Sequence, residues 1–361
     1  MGNLFHRGMD VGPTTVKAVV LDSNDNLIFK RYERHYADIK PKLLDILKDM
    51  HGAIGDGQVT VSVTGSAGMG LAENIGVLFT QEVIAATKAI KTYYPQTDVV
   101  IELGGEDAKI TYLSDGVEQR MNGTCAGGTG AFIDQMASLL QVDPEGLNEL
   151  AKNYKNIYPI AARCGVFAKT DVQPLLNEGA AREDIAASIF QAVVIQTISG
   201  LACGRPIRGN VAFLGGPLYF LSELRNRFIE VLGLRDDQVI FPANAQLYVA
   251  IGAALSSKEE QPISFRSLMN RLLQSEGVSN ISTDRLEPLF SSYEEYEEFK
   301  ERHAKAVVKR KPLEDFEGEC FLGIDAGSTT TKLALIDGEG HLLYTYYSSN
   351  GGDPLKSTIK A

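Results

Sequence analysis

Short apolar stretches separated by polar turn clusters open the chain. Residues 16–21 form one such stretch and the polar cluster 23–26 follows it, which predicts a β-meander of three strands. Beyond the meander, helical and strand periodicities alternate, as is typical of an α/β fold with mixed sheets. We predict strands at 58–64, 98–103 and 109–113, and helices at 42–50, 81–93, 131–140, 144–154, 181–201, 220–232 and 245–255.

The opening segment recurs near the other end of the sequence. Residues 8–17 and 323–332 share their Gly, Asp, Gly, Thr-Thr and Lys positions in the same order. The agreement continues beyond this motif, where Asp22 matches Asp337, Leu27 matches Leu342 and Tyr32 matches Tyr347. A repeat that keeps strand, turn and strand in one register predicts that the chain begins the same structural unit twice.

The repeat divides the chain into three predicted parts. We predict a first unit over 1–257, a charged helical connector over 258–316 and the truncated start of a second unit over 317–361. The second unit comprises about one hairpin, which suggests a fragment of a longer natural protein and is too little for a core of its own. We therefore expect it to be loosely ordered or to borrow a sheet edge from a neighbour.

Charge and hydropathy narrow the classes of function. A net charge of −11 with no concentrated basic patch argues against a nucleic-acid partner. The uncharged stretch 185–204 is long enough to span a membrane, but its Ser, Thr and Gln residues favour a buried helix, so we expect no membrane partner. The N-terminus lacks the pattern of a signal peptide, which predicts a cytoplasmic protein. Four cysteines in such a chain predict metal ligands or a nucleophile rather than a disulfide framework.

Three glycine-containing segments have the composition of a nucleotide site. A triphosphate with a divalent metal needs amides freed by a tight turn, hydroxyls or a lysine for phosphate oxygens, and a carboxylate near the metal. Residues 8–17 supply all of these, although alone they also fit an ordinary hairpin with polar turn residues. Residues 99–109 repeat the arrangement. Residues 211–217 form an apolar strand that runs into paired glycines, where adenine can approach the backbone closely.

The order of these segments resembles the phosphate-1, phosphate-2 and adenosine motifs of the actin, sugar-kinase and heat-shock ATPase superfamily. The resemblance implies a ribonuclease H-like α/β fold with two lobes and an ATP cleft. It implies that Asp10 and Glu102 flank a hydrated Mg²⁺ and that Glu106 or Asp107 positions the attacking water. Many relatives carry Asp in place of Glu102, whose extra methylene moves the carboxylate. The remaining nucleotide-binding residues that it implies are Gly12, Thr14, Thr15, Lys17, Gly104, Gly105, Gly215 and Gly216.

Two cysteine segments lie between the phosphate-2 and adenosine motifs. Cys125 and Cys164 each stand beside a predicted helix start, where freed amides and the helix dipole stabilise a thiolate and an anionic cluster. The residues that can cap these helix ends are Thr129, Thr170 and Asp171. Two thiolates are too few for a 4Fe–4S cluster, which normally takes four, so a second chain or a second repeat must complete the set.

Other interpretations of these segments stay open. Cys125 and Cys164 also fit two buried small hydrophobic residues, and the glycine run 127–130 also fits a further phosphate loop. The glycine-rich sequence around the two cysteines and their positions beside predicted helix starts favour their role as cluster ligands. Cys203, in an apolar run, and Cys320, before a predicted strand, are interpreted as structural residues.

The cysteine segments, NGTCAGGTGAF and ARCGVFAKTDV, are similar to the cluster-binding segments of the BadF/BadG/BcrA/BcrD ATPase family. With its second start at Gly323, the chain resembles the long, tandem branch of this family. The family comprises activators of 2-hydroxyacyl-CoA dehydratases and subunits of benzoyl-CoA reductases. The resemblance implies that Cys125 and Cys164 are ligands of a 4Fe–4S cluster shared by a homodimer or by tandem repeats. It also implies that ATP hydrolysis drives a low-potential electron into an acyl-CoA dehydratase or reductase. Lys169 departs from simple activators, which often carry an acidic residue there.

Two further functions remain alternatives. A small-molecule kinase of the same superfamily needs a carboxylate base beside a substrate hydroxyl, and the sequence has no convincing signature of such a pocket. A non-catalytic nucleotide-binding regulator is compatible with Glu102 in place of the usual Asp.

Overall fold

The computed structural model describes residues 4–114, 116–122, 127–161, 164–275, 286–327 and 329–361. The chain forms two compact units. One comprises Met1–Asp171 with Arg182–Ser279, and the other comprises Val172–Ala181 with Asn280–Ala361.

The first sheet of the first unit is built on the predicted meander. Its strands are β1 (Leu4–Val11), β2 (Thr15–Leu21), β3 (Leu27–Arg34), β4 (Gln58–Thr64), β5 (Leu78–Phe79) and β11 (Ile263–Ser264). Strands β1, β2 and β3 pair antiparallel in sequence order, and β4 joins the other edge of β1 in parallel. Strands β1, β2 and β4 are rich in apolar residues and almost completely buried, because they lie in the middle of the sheet.

The second sheet carries the other predicted nucleotide motifs. Its strands are β6 (Val99–Leu103), β7 (Ala108–Tyr112), β8 (Glu118–Met121), β9 (Val211–Leu214) and β10 (Val239–Ile240). The order is β10-β9-β6-β7-β8, with β6 to β8 antiparallel and β9 parallel to β6. This pairing places the ends of β6 and β9 side by side, so that the loops that follow them are neighbours.

Helices occur in both compact units. They are α1 (Ile39–Ile54), α2 (Gly68–Ile75), α3 (Glu82–Tyr93), α4 (Gly130–Leu139), α5 (Pro144–Ala151), α6 (Gly165–Asn177), α7 (Arg182–Thr197), α8 (Gly216–Phe220), α9 (Ser222–Leu232), α10 (Tyr248–Ser256), α11 (Phe265–Gln274), α12 (Tyr293–Ala304) and α13 (Pro354–Lys360). A π-helical turn, Ile198–Ala202, extends α7. Within the described parts of the chain, only Arg182–Ala202 is long and apolar enough to span a membrane, and 67% of its most apolar window is buried inside the protein. This burial agrees with the predicted core helix at 181–201.

Among the described residues, one apolar core of the first unit lies between the first sheet and α1, α2 and α11, and another joins β2, β6 and β9 to α3 and α10. The backbone of α10 lies directly on β1, since a Cβ on Gly8 would sit 1.8 Å from the Ala250 carbonyl oxygen. It also lies on α3, since a Cβ on Gly252 would sit 1.7 Å from the Ala85 carbonyl oxygen. Only glycine allows contacts this close.

The region predicted as a connector has two different parts. Strand β11 pairs with β4, and Phe265, Leu268 and Leu272 of α11 are buried in the first core. The first unit therefore continues past residue 257, because this helix is amphipathic and covers the sheet face beside α1. Helix α12 has no buried residue, which agrees with a solvated charged helix.

The second unit contains the repeated meander. Strands β12 (Cys320–Ala326), β13 (Thr330–Asp337) and β14 (Leu342–Ser349) pair antiparallel in sequence order, as β1 to β3 do. The segment thus forms a regular sheet rather than the loose structure expected from its length, because each ladder supplies its own backbone hydrogen bonds. Every residue of β12 is exposed.

Candidate nucleotide site

The first hairpin places a carboxylate and a lysine opposite each other. The Gly12 amide donates to the Thr15 carbonyl oxygen at 3.0 Å and closes the turn between β1 and β2. Asp10 and Lys17 are register partners, and the Lys17 Nζ donates to the Asp10 Oδ2 at 2.7 Å. Burial alone would lower the pKa of Lys17, but the adjacent Asp10 carboxylate outweighs it and raises the pKa. Lys17 is therefore held as a cation beside Asp10.

The second hairpin repeats this pairing with more charges. Glu102 of β6 is the register partner of Lys109 of β7. The Lys109 Nζ lies 2.8 Å from Asp107 Oδ2 and 3.7 Å from Glu102 Oε1, and it also pairs with the Glu82 carboxylate. Burial is the main cause that raises the pKa of Glu102 to about 7, with the Asp107 and Glu82 charges adding to it and Lys109 opposing it. Glu106 is exposed at the turn.

The two phosphate loops meet. A Cβ on Gly105 would lie 2.5 Å from the Thr14 Oγ1, so only glycine lets the loops approach this closely. The Gly104 amide donates to the Asp107 carbonyl oxygen at 2.7 Å and tightens the second turn. The structure thus brings the hydroxyls of the first hairpin to the paired glycines of the second.

The loop after β9 completes the cleft. Gly215 has φ +91°, and a Cβ there would lie 2.0 Å from the Leu103 carbonyl oxygen. A Cβ on Gly216 would lie 2.4 Å from the Tyr32 hydroxyl oxygen. Gly215 requires glycine, because its φ is positive and the backbone of β6 lies directly against it, whereas at Gly216 the Tyr32 side chain would have to shift.

A cavity of about 350 Å³ lies among these loops. Its lining includes Thr14, Thr15 and Gly105 as well as the apolar Pro217 and Phe220. A narrower cleft shares part of this wall and is bordered by Lys17, Glu102, Gly104 and Gly215. The hydroxyls and glycine amides suit phosphates, and the apolar side chains suit a flat ring.

Sequence reasoning missed several residues around this cavity. Glu82 and Lys109 had no assigned role, although Lys109 follows Glu102 at the same spacing at which Lys17 follows Asp10. Gly65, after β4, has φ +96°, and a Cβ there would lie 2.7 Å from Asp10 Oδ1. The sequence signal that could have identified Gly65 is its place as a glycine directly after a buried strand.

An ion pair on the cavity wall was also missed. Arg34 at the end of β3 pairs with Asp134 of α4 at 3.2 Å, and both side chains line the cavity. No local sequence pattern links two residues so far apart in the chain.

Cys164 stands immediately before α6. Its carbonyl oxygen accepts a hydrogen bond from the Ala168 amide at 2.9 Å, so the helix begins at Gly165. The prediction that Thr170 and Asp171 cap this helix is wrong, because both lie inside it. The Thr170 hydroxyl donates to the Phe167 carbonyl oxygen, and Asp171 accepts from the Ala161 amide.

The other sequence-predicted cysteines have different settings. Cys125 lies outside the described residues. Cys203, which follows the π-helical turn with φ +46°, and Cys320, at the start of β12, are both exposed. Neither is therefore a core residue.

Helix α4 is tied to the phosphate-2 loop. The amides of Gly130 and Ala131, in its first turn, donate to the carbonyl oxygens of Gly104 and Gly105 at 3.0 and 2.7 Å. Thr129 occupies the N-cap position as predicted, but its side chain makes no capping hydrogen bond. On its other side α4 meets α6, since a Cβ on Gly165 would lie 2.1 Å from the Gln135 Oε1.

Fold and site together define the class. Two mixed sheets, two hairpins that present carboxylates and paired glycines, and a glycine loop at the end of β9 make the first unit an α/β domain of the actin, sugar-kinase and heat-shock ATPase class. The fold predicted from the sequence is confirmed. The chain belongs to the BadF/BadG/BcrA/BcrD ATPase family, whose model matches residues 8–257.

Relatives of known activity share most of the chain. The 2-hydroxyisocaproyl-CoA dehydratase activator of Clostridioides difficile is 28% identical over 272 residues, which is 74% of this chain and 100% of the relative. The (R)-2-hydroxyglutaryl-CoA dehydratase activating ATPase of Acidaminococcus fermentans is 30% identical over 259 residues, which is 70% of this chain and 96% of the relative.

Solved structures resemble the chain over a similar share. The A. fermentans (R)-2-hydroxyglutaryl-CoA dehydratase component A has a TM-score of 0.62 and 26% identity, covering 73% of this chain and 99% of that one. The C. difficile activator with bound ADPNP has a TM-score of 0.60 and 25% identity, covering 76% of this chain and 99% of that one.

Proposed function

We propose that this chain is an ATP-hydrolysing activator that transfers a low-potential electron from a 4Fe–4S cluster to a partner acyl-CoA dehydratase or reductase. Family membership and the names of the relatives support the ATPase and activator parts of this proposal. The electron-transfer part is supported by the two cysteine segments and by the position of Cys164.

The cleft residues divide into three roles. Thr14, Thr15 and the amides of the glycine loops bind phosphate oxygens. Carboxylates fit a hydrated Mg²⁺, and the buried Asp10 and Glu102 supply them from the two facing hairpins. Asp107, which shares Lys109 with Glu102, is better placed than the exposed Glu106 to orient the attacking water.

The cysteines are proposed as cluster ligands. Cys164 is half-buried and stands at the start of α6, where free amides and the positive dipole end favour an anionic cluster. Cys125 is proposed as the second cluster ligand on the basis of the sequence alone. A bound 4Fe–4S cluster supplies reversible one-electron reduction. Since Cys125 and Cys164 are two thiolates, a homodimer or a tandem second repeat supplies the other two.

One observation supports the proposed coupling between ATP hydrolysis and electron transfer. The carbonyl oxygens of Gly104 and Gly105 accept hydrogen bonds from the first amides of α4, and the Cys125 segment directly precedes this helix. A γ-phosphate that shifts the phosphate-2 loop therefore pulls on the helix. Helix α4 also contacts Gly165, next to Cys164, so both cysteine segments follow its movement.

Anaerobic preparation followed by iron and sulfide analysis, with the mass in solution, tests this proposal. We expect about four irons per two chains, and a spectrum that dithionite bleaches reversibly. Cys164→Ala is expected to lose the iron while it still binds ATP. Iron-free protein that phosphorylates a sugar or a carboxylate would instead indicate a kinase. Tight ATP binding without hydrolysis would indicate a regulator.

A further inference from the structure

Lys109 lies among three carboxylates. Its ammonium group pairs with Glu82, Glu102 and Asp107, and the residue is only 4% exposed. Since the three acids outnumber the one base, the group as a whole retains negative charge. Without the lysine, three anions in a largely buried place would repel one another.

Glu82 anchors this group to a rigid support. It is the first residue of α3, and the close contact between Ala85 and Gly252 fixes α3 on α10. Helix α10 in turn lies on β1 at Gly8, in the strand that carries Asp10. Lys109 therefore joins the phosphate-2 hairpin to the same support that holds the phosphate-1 carboxylate.

Lys17 and Lys109 occupy equivalent places in their hairpins but differ in exposure. Lys17 pairs with the single carboxylate of Asp10, and its side chain is 17% exposed and borders the narrow cleft. The Lys109 side chain is 5% exposed, and among the described residues it is not part of that border. Lys17 can therefore reach a ligand in the cleft, whereas Lys109 faces the carboxylates.

We propose that Lys109 is a positioning residue, which holds Glu102 and Asp107 in place for the magnesium-bearing nucleotide and is itself anchored by Glu82. This inference rests on the proposed ATPase function. Its role differs from that of a phosphate-binding lysine, because it acts through the two carboxylates and contacts no substrate.

Lys109→Met tests the proposal by two readouts. In nucleotide-free protein, Mn²⁺ binding followed by electron paramagnetic resonance is expected to tighten by about tenfold, because the uncompensated carboxylates attract the cation directly. In steady-state hydrolysis, kcat is expected to fall by about tenfold while the KM for ATP stays unchanged. Lys109→Arg keeps the charge and is expected to restore the Mn²⁺ affinity and part of kcat.

The control is Lys332→Met, which removes the lysine of the second unit that corresponds to Lys17 and is expected to change neither readout. Unchanged Mn²⁺ affinity in Lys109→Met, or a raised KM for ATP with normal kcat, would overturn the proposal. If the wild-type protein hydrolyses no ATP, the proposed function fails while the Mn²⁺ titration still decides the role of Lys109.

If Lys109→Met does not fold, Glu82→Gln replaces it. That variant is expected to lower kcat without changing the KM for ATP, and an unchanged kcat would contradict the anchor.

Discussion

The two copies of the glycine hairpin have the same local geometry. The turn hydrogen bond from Gly12 to Thr15 measures 3.0 Å, and the one from Gly327 to Thr330 measures 2.9 Å. The lysine-carboxylate distance is 2.7 Å both for Lys17 with Asp10 and for Lys332 with Asp325. The motif therefore specifies its own hairpin and its own ion pair from local sequence.

The surroundings of the two hairpins differ. Asp10 and Lys17 side chains are 4% and 17% exposed, whereas those of Asp325 and Lys332 are 63% and 42% exposed. A Cβ on Gly8 would clash with α10, but one on Gly323 would meet only the Ala334 carbonyl oxygen at 3.8 Å. The comparison teaches that a helix and a facing loop convert the hairpin into a binding site, and that the motif alone does not.

The largest difference in stability between the two copies of the hairpin is expected for glycine substitutions. Gly8→Ala forces a methyl group into the backbone of α10 and is expected to lower the free energy of unfolding by about 4 kcal/mol. Gly323→Ala has open space and is expected to change it by less than about 0.5 kcal/mol. Urea denaturation followed by circular dichroism measures both. Equal losses would mean that burial does not distinguish the two copies.

Breaking the lysine-carboxylate ion pair should give the next largest difference in stability between the two copies of the hairpin. Asp10→Asn leaves Lys17 buried without its counter-charge and is expected to cost about 3 kcal/mol. Asp325→Asn breaks an exposed pair and is expected to cost less than about 0.5 kcal/mol. Adding Lys17→Met to Asp10→Asn should recover part of the loss, since no buried cation then remains. A double variant as unstable as the single one would argue against this explanation.

The buried carboxylate of Glu102, which has no counterpart in the second unit's hairpin, gives a pH-dependent effect on stability. Its folded-state pKa of about 7 lies above the ordinary value of 4.5, so the folded protein binds more protons between these values. Stability from this group is complete below pH 4.5 and falls as the pH rises to about 7. Relative to wild type, Glu102→Gln should therefore gain about 3 kcal/mol between pH 4.5 and pH 8. Unfolding free energies across this range measure the gain, and a difference that stays constant with pH would contradict it.

Local features of the site were accessible from the sequence. Strand β4 has the predicted bounds, and the turns at Gly12 and Gly104 follow from glycines next to strands. The meander was predicted because short apolar stretches are separated by turns with polar clusters. These elements depend on residues close together in the chain, so sequence patterns describe them well.

The remaining features depend on tertiary packing. Glu82 reaches Lys109 only because α3 packs on α10, and neither sequence segment signals that contact. The start of α6 at Gly165 was missed because Thr170 and Asp171 have the composition of caps but lie inside the helix. Helix α11 was assigned to a connector, although Phe265 and its neighbours bury an apolar face on the first sheet.

The central claim is that the nucleotide loop moves the cysteine segments through α4. The most direct measurement is the rate at which a chelator removes ferrous iron from anaerobic protein, with and without Mg²⁺ and ATP. Ala131→Pro removes the amide that donates to Gly105, in a first helical turn where proline is tolerated. We predict that ATP changes the rate severalfold in wild type and leaves it unchanged in Ala131→Pro. The same ATP response in both proteins, or no response in wild type, would contradict the account.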